Sequence, residues 1–236
     1  MLSFHTDNTC YLLEPKDLAE PVLPDHIERH RAALQEIVDW ANAFLCNPHP
    51  ELGREGKVCP YTTPSLERNL FWLTIFPAKY PTIEEACNSI MKYRQWFYEL
   101  EPTSGRAAQY KTILMLFPEL EQPSGPHIMD MIQASLKPEF VADGLMLGQF
   151  YSDCEEPGLW NPHFRPLRTN IPLLAIRHMV PTDFPFLKKK PEWVASYLQR
   201  FGENIPSRIR DTVEATALSY GLRLPDTTRE LVAVGA

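Results

Sequence analysis

The sequence predicts a mixed α/β fold of the α+β type, in which a sheet with the element order βαβαββ is flanked by helices and followed by extra carboxyl-terminal helices. Three observations lead to this prediction. The 236-residue chain is 44% apolar and 22% charged, which is typical of a globular protein. Short runs rich in β-branched and aromatic residues alternate with longer helical patterns. The 23 prolines stand mainly at the borders of these segments.

The first predicted helix follows an irregular amino-terminal arm of residues 1–24. Asp25 is a suitable N-cap, and apolar residues recur at helical spacing from there up to about Cys46. The next segment, residues 47–69, is rich in Pro, Gly and Thr, and we expect it to form a long ordered loop.

A βαβ unit is predicted after this loop. Residues 70–76 are aromatic and β-branched, and we expect them to form a central strand. Thr82 and Glu85 have capping-box spacing at the start of a helix that ends near Leu100. Residues 110–117 form the second strand, and the helical crossover between the two strands predicts that they are parallel.

The remaining elements complete a single predicted domain. A third helix is expected to begin around residues 125–126, before strands at 145–151 and 173–179. Short helices are expected after Pro191 and from Pro206 to Tyr220. Because no linker-like stretch divides the chain, we expect one α/β domain over residues 25–190, to which the helices and tail of residues 191–236 also belong.

Composition excludes several classes of function. The formal net charge of −7 disfavours binding to a phosphate backbone, so no nucleic-acid partner is expected. The longest apolar runs are only strand-sized and the amino terminus lacks a secretory signal, so we expect a cytoplasmic protein without a membrane partner. The five cysteines form no C-x-x-C pair, and the glycine-rich, zincin and hydrolase motifs are absent.

The segment around the last predicted strand is the strongest candidate for a site. Within 16 residues it holds three arginines and two histidines: His163, Arg165, Arg168, Arg177 and His178. Guanidinium groups bind carboxylates and phosphates, whereas imidazole ligates metals or transfers protons near neutral pH. This segment therefore predicts a site for a small anionic ligand.

Two other interpretations of these residues stay open. Arg165 and Arg168 are equally expected to pair with local acids such as Glu155 or Glu156, while His178 merely ends a strand. Cys59, at the end of the glycine-containing loop, is either a reactive thiolate or a buried, inert cysteine, and the second is the commoner case.

A resemblance extends over about residues 25–190. The pattern GREGKVCPYTTPSLERNLFWL … YKTILMLFPELE … DGLMLGQFY … NPHFRPLRTNIPLLAIRHMV resembles an uncharacterised domain family of microbial proteins, several of which are encoded beside specialised-metabolite genes. More distantly, the order of features is similar to that of the YqcI/YcgG family. Members of that family are haem proteins that hydroxylate nitrogen on guanidine or amine substrates.

The distant resemblance implies haem as the cofactor and assigns roles to several residues. Cys59 corresponds to a loop cysteine of the family, and Asn161 stands where the family has a histidine, so His163 and His178 are alternative ligands for the iron. His178 and Arg177 are the implied catalytic residues. The haem propionates would bind to cationic side chains, namely Arg165, Arg168 and Arg177.

Three functions are consistent with these patterns. The first is a haem-dependent monooxygenase or N-hydroxylase that acts on a small amine- or guanidine-bearing substrate in specialised metabolism. The second is a cofactor-free enzyme or ligand-binding accessory protein in which Arg165 and Arg168 hold a carboxylate and His178 acts as acid or base. In the third, a non-catalytic protein, the same residues only stabilise the sheet.

Overall fold

A four-stranded mixed sheet organises the fold, which a computed structural model describes for residues 1–4, 7–121 and 127–224. The strand order is β3-β4-β6-β5, with β3 and β4 parallel and β4 and β6 antiparallel. These findings confirm the predicted mixed sheet and the parallel βαβ unit. The strands are β1 (Leu2–Phe4), β2 (Asp7–Leu12), β3 (Phe71–Ile75), β4 (Thr112–Leu116), β5 (Leu145–Phe150) and β6 (Leu173–His178).

Helices precede, connect and follow these strands along the chain, as the sequence predicts. The long helix of the βαβ unit begins with the predicted capping box, in which Thr82 Oγ1 accepts a hydrogen bond from the Glu85 backbone N–H at 3.1 Å. The α-helices of the described chain are α1 (Asp25–Glu28), α2 (Arg31–Trp40), α3 (Thr62–Glu67), α4 (Ile83–Glu99), α5 (Gly105–Ala108), α6 (Ile128–Ala142), α7 (Phe184–Leu187), α8 (Pro191–Phe201) and α9 (Ser207–Ser219). None of them is long and apolar enough to cross a bilayer.

The amino-terminal arm is more regular than predicted. Strands β1 and β2 pair antiparallel, and Leu13 exchanges two backbone hydrogen bonds of 2.8 Å with Leu73 of β3. The prediction that β3 is a central strand is wrong, because β3 stands at one end of the four-strand order. Its five residues are nevertheless buried, since the arm covers that edge.

The first predicted helix is divided into three parts. Pro24 takes the N-cap position in place of Asp25, and the backbone leaves the helical conformation at His30, between α1 and α2. The last turn, Ala41–Leu45, is a π-helix, a conformation that often marks functional sites. The apolar period continues across these breaks, which explains why the sequence pattern predicted one continuous helix. The following loop also contains two short helices, the 3-10 turn Pro50–Leu52 and α3.

The chain divides into two compact units. The first consists of Met1–Lys137 and Met146–His178, and the second of Pro138–Leu145 and the residues from Met179 onward. Within the second unit, Tyr197 packs against Phe184 with 5.0 Å between ring centroids. Its hydroxyl donates to the Pro181 carbonyl oxygen at 2.7 Å. The predicted single domain, which includes residues 191–236, stays a prediction. The predicted helix start at residues 125–126 and the last part of the tail lie outside the described residues.

Candidate functional site

A cleft in the first unit is formed by α2, the π-helical turn and the long connection of residues 151–172 between β5 and β6. The connection joins β6 where the parallel strands end, because the Phe117 backbone N–H that follows β4 donates to the Pro172 carbonyl oxygen at 2.9 Å. Ligand sites of α/β proteins are typically found at the carboxyl ends of the parallel strands. The cleft therefore lies where such a fold would place a site.

The cleft contains two cavities that share Trp40 and Arg168. The first, which we name the acidic cavity, has a volume of about 400 Å³, and the second, the histidine cavity, has a volume of about 370 Å³. Both volumes lie in the range of small-molecule sites. The acidic cavity is also lined by Glu36, Asp39, Ser152 and Asn170. The histidine cavity is also lined by Phe44, His49, His163, Phe164 and Arg165.

Two carboxylates from one face of α2 give the acidic cavity its charge. Asn170 Nδ2 donates to Glu36 Oε1 at 2.9 Å, so a hydrogen bond joins α2 to the connection. Asp39, one turn further along the exposed face, accepts a hydrogen bond from Gln35 Nε2 at 2.9 Å. The half-buried indole of Trp40 lies beside these carboxylates. Carboxylates and an indole face are the groups that bind organic cations.

Aromatic rings form the wall of the histidine cavity. The buried ring of Phe164 stacks on the His49 imidazole with 4.8 Å between centroids. Phe44 contacts His49 edge-on at 5.7 Å and stacks with Trp40 at 6.0 Å. His49 Nδ1 accepts a hydrogen bond from the Glu51 backbone N–H at 3.2 Å, which fixes the orientation of the imidazole.

The connection is tied to the loop that contains Glu51 through Asn161. The Asn161 side chain donates from Nδ2 to the Glu51 carbonyl oxygen at 2.8 Å and accepts the His163 backbone N–H at 2.9 Å. Asn161 therefore holds the connection and this loop together. The His163 side chain itself is exposed on the cavity wall.

Both arginines of the histidine cavity bind Glu155. Arg165 Nε donates to Glu155 Oε2 at 3.1 Å, and Arg168 Nη2 contacts the other carboxylate oxygen. The Arg165 guanidinium, together with Arg168, holds the pKa of Glu155 below its usual range. Each arginine also donates to a backbone carbonyl of the same connection, at Pro162 and Cys154 respectively. The interpretation that these arginines pair with a local acid is confirmed for Glu155.

The other predicted site residues lie away from both cavities. Cys59 is half-buried and packs against the apolar core. His178 is the last residue of β6, about 17 Å along the strand from its first residue. Its imidazole contacts Phe97 of α4 edge-on at 4.9 Å, and Arg177 Nη1 donates to the His178 carbonyl oxygen at 3.0 Å. The structure therefore brings His163, Arg165 and Arg168 together and leaves Cys59, Arg177 and His178 elsewhere.

A buried lysine next to β4 was not predicted. Lys111 is 1% exposed, and its Nζ donates to the Leu100 carbonyl oxygen at the end of α4 at 2.6 Å. The ammonium also lies 4.6 Å from the ring centroid of Phe97. Burial lowers the pKa of Lys111 to about 8, although the nearby Glu101 opposes this shift. In the sequence, the only indication of a buried lysine was a single lysine directly before an apolar strand.

Lys111 is expected to make stability rise with pH between about 8 and 10.5. In this range the folded chain has released the Lys111 proton, whereas the unfolded chain, with an ordinary pKa of 10.5, still binds it. Urea unfolding at pH 7.5 and pH 9.3 should show a larger increase in stability for the native chain than for Lys111→Met. A Lys189→Met variant, which removes an exposed lysine, should keep the native increase. An equal increase in Lys111→Met would contradict the prediction.

A second polar cluster lies at the end of β5. The Asp130 carboxylate accepts hydrogen bonds from the Tyr151 hydroxyl at 2.6 Å and from Gln149 Nε2 at 3.1 Å. The half-buried His127 imidazole stacks on Tyr151 with 3.7 Å between centroids, and burial lowers the pKa of His127. His127 and Tyr151 are 24 residues apart in the chain, so the sequence pattern alone does not predict this ring contact.

The described residues contain no group of three or more His, Cys, Asp or Glu side chains that could hold a metal ion. Together, the fold and the cleft define a mixed α/β protein with a cleft of small-molecule dimensions at the end of its parallel strands. Residues 34–212 match the family model described as a domain of unknown function, DUF6875, and the chain belongs to this family. The prediction of an uncharacterised domain family is confirmed. No curated protein and no solved structure matches the chain, and the resemblance to the YqcI/YcgG family stays a prediction.

Proposed function

We propose that this chain binds a small amine- or guanidine-bearing metabolite in the acidic cavity, either as an enzyme of specialised metabolism or as a ligand-binding accessory protein. The observation that carries the proposal is the pair of exposed carboxylates, Glu36 and Asp39, beside the half-buried indole of Trp40. An organic cation gains charge-assisted hydrogen bonds from the carboxylates and a cation–π contact from the indole. The net charge of −7 also attracts cationic ligands to the protein.

Calorimetric titration with methylguanidinium and butylammonium chloride tests this proposal. We expect both cations to bind, and we expect the Glu36→Gln/Asp39→Asn double variant to bind them about five- to tenfold more weakly, because it loses two solvent-exposed ionic contacts. Glu67→Gln, which removes an exposed carboxylate of α3, is the matched control and should keep the native affinity. Equal affinities of the native chain and the double variant would refute the acidic cavity as the site.

Haem is a second candidate occupant of the same cleft, and the residues of the histidine cavity fit it in part. His163 offers an exposed imidazole, aromatic rings form the walls, and Arg165 and Arg168 are the available cations for propionates. Those propionates would compete with the Glu155 carboxylate, which binds both arginines. Because a haem is large, it would extend into the acidic cavity, so haem and the amine are alternative occupants. When bound, haem would supply the activation of oxygen.

An absorption spectrum during titration with haemin tests the second candidate. If haem binds in the histidine cavity, the native chain should develop a sharp Soret band that weakens in His163→Ala. The band should persist in His178→Ala, since His178 lies at the far end of β6. A Soret band that is unaffected by His163→Ala would place haem elsewhere, and a titration without a protein-induced band would remove haem as a candidate.

A further inference from the structure

The two walls of the acidic cavity carry opposite charges. Glu36 and Asp39 stand on α2, whereas Arg168 belongs to the connection of residues 151–172. A simple amine would be complementary only to the carboxylates of α2. A ligand that carries both an ammonium and a carboxylate group would be complementary to both walls, since charge complementarity sets the specificity of polar sites.

The Arg168 guanidinium is able to accept a ligand carboxylate. Its hydrogen bonds use Nε, which donates to the Cys154 carbonyl oxygen, and Nη2, which contacts Glu155. Its other terminal nitrogen, Nη1, donates no hydrogen bond within the part of the chain that the structure describes. The side chain of Glu155 is 71% exposed, and such solvent-screened ion pairs contribute little stability. A carboxylate in the cavity would therefore bind at Nη1 or replace Glu155.

An aromatic surface continues from the acidic cavity into the histidine cavity. The half-buried rings of Trp40 and Phe44 lie four residues apart, on α2 and the π-helical turn, with 6.0 Å between their centroids. Trp40 lines both cavities, Phe44 lines the histidine cavity, and the buried Phe164 ring continues this wall. A planar apolar group that extends from the acidic cavity would cover these rings and remove apolar surface from water.

We infer that the ligand of the cleft is an amino acid with an aromatic side chain. Its ammonium group binds Glu36 and Asp39, its carboxylate binds Arg168, and its ring covers Trp40 and Phe44. The inference rests on the proposed function, because it narrows the amine-bearing metabolite to one class of zwitterion. It adds Arg168 and Phe44 as residues that determine specificity.

Four probes separate the three recognition elements by calorimetric titration. L-Phenylalanine contains all three, whereas phenethylamine lacks the carboxylate, 3-phenylpropanoate lacks the amine and L-alanine lacks the ring. We expect L-phenylalanine to bind at least about tenfold more tightly than each of the others, because each loses a charge-assisted contact or the burial of a ring. Equal binding of phenethylamine and L-phenylalanine would overturn the inference.

Variants assign each element to its residue. Arg168→Lys, which keeps the charge but loses the planar guanidinium, should weaken L-phenylalanine binding about fivefold or more and leave phenethylamine binding unchanged. Phe44→Ala should weaken the binding of both L-phenylalanine and phenethylamine and leave the binding of L-alanine unchanged. Arg106→Lys, at an exposed arginine of α5, is the control and should alter none of the affinities. An Arg168→Lys variant with native affinity for L-phenylalanine would overturn the assignment of the carboxylate.

The failure of this inference is distinguishable from the failure of the proposed function. If methylguanidinium binds and depends on Glu36 and Asp39 while L-phenylalanine does not bind, only the amino acid is excluded. If L-phenylalanine and 3-phenylpropanoate bind equally well and the Glu36→Gln/Asp39→Asn variant keeps both affinities, the amine contact fails, and the proposed function and the zwitterion fail together.

Discussion

Replacement of Phe164 by alanine is expected to lower the free energy of unfolding by about 3–5 kcal/mol, the cost of removing a buried phenylalanine ring. Phe164 is 4% exposed and is held between two segments of the first unit. Its ring stacks on His49, and its backbone carbonyl oxygen accepts the Gly158 N–H at 2.8 Å. Alanine keeps this backbone hydrogen bond but leaves a cavity beneath His49. The decrease in the free energy of unfolding therefore measures the contribution of ring packing.

Urea unfolding of Phe164→Ala and Phe164→Leu measures this effect. Leucine fills most of the space and should cost less than about 1.5 kcal/mol. Because the ring also forms a wall of the histidine cavity, Phe164→Ala should in addition weaken the binding of any ligand that covers Phe44. A loss below about 1.5 kcal/mol in Phe164→Ala would contradict the packing described for this wall.

Replacement of Gly53 by alanine is expected to cost about 2–4 kcal/mol, for two reasons that act together. Gly53 has φ +77°, in the left-handed region that non-glycine residues rarely adopt. A Cβ atom at this position would also lie 2.8 Å from the carbonyl oxygen of Trp160. Because that atom is backbone, it moves only if the connection moves, and the Asn161 hydrogen bond to Glu51 would loosen with it.

Gly56→Ala separates these two contributions. Gly56 has φ +90°, but a Cβ atom there would meet no atom closer than Arg54 Nη1, at 3.5 Å. We therefore expect Gly56→Ala to cost only about 1–2 kcal/mol, the conformational part. Urea unfolding gives the loss in free energy of unfolding for each variant. The difference between the two losses measures the cost of the steric contact between a Cβ atom at position 53 and the connection. Equal losses would indicate that the contact between Gly53 and Trp160 does not contribute.

The sequence and the structure agree best where the chain pattern is local. The capping box at Thr82 and Glu85 and the parallel strands β3 and β4 were predictable, because helical spacing and strand-length apolar runs depend on near neighbours. The position of β3 at the end of the strand order was not predictable, since the buried edge of β3 pairs with the amino-terminal arm through Leu13, 60 residues before Leu73. Residue periodicity contains no information on such long-range pairing.

The candidate site was likewise predicted only in part from the sequence. The Arg/His segment was recognised from composition alone, and three of its members, His163, Arg165 and Arg168, do line the cleft. Glu36 and Asp39 were missed because they occupy the exposed face of an ordinary amphipathic helix. Only their position opposite the connection distinguishes them from other surface carboxylates.

By itself, the sequence determined the mixed α/β class, the βαβ unit and the membership of an uncharacterised domain family. The tertiary structure alone decided which polar groups meet. Glu36 and Asn170, joined by a hydrogen bond across the acidic cavity, are 134 residues apart in the chain, and His178 is separated from His163 by the length of β6. Local propensities form the helices and strands, but a cleft is assembled from segments that are brought together only when the apolar core packs.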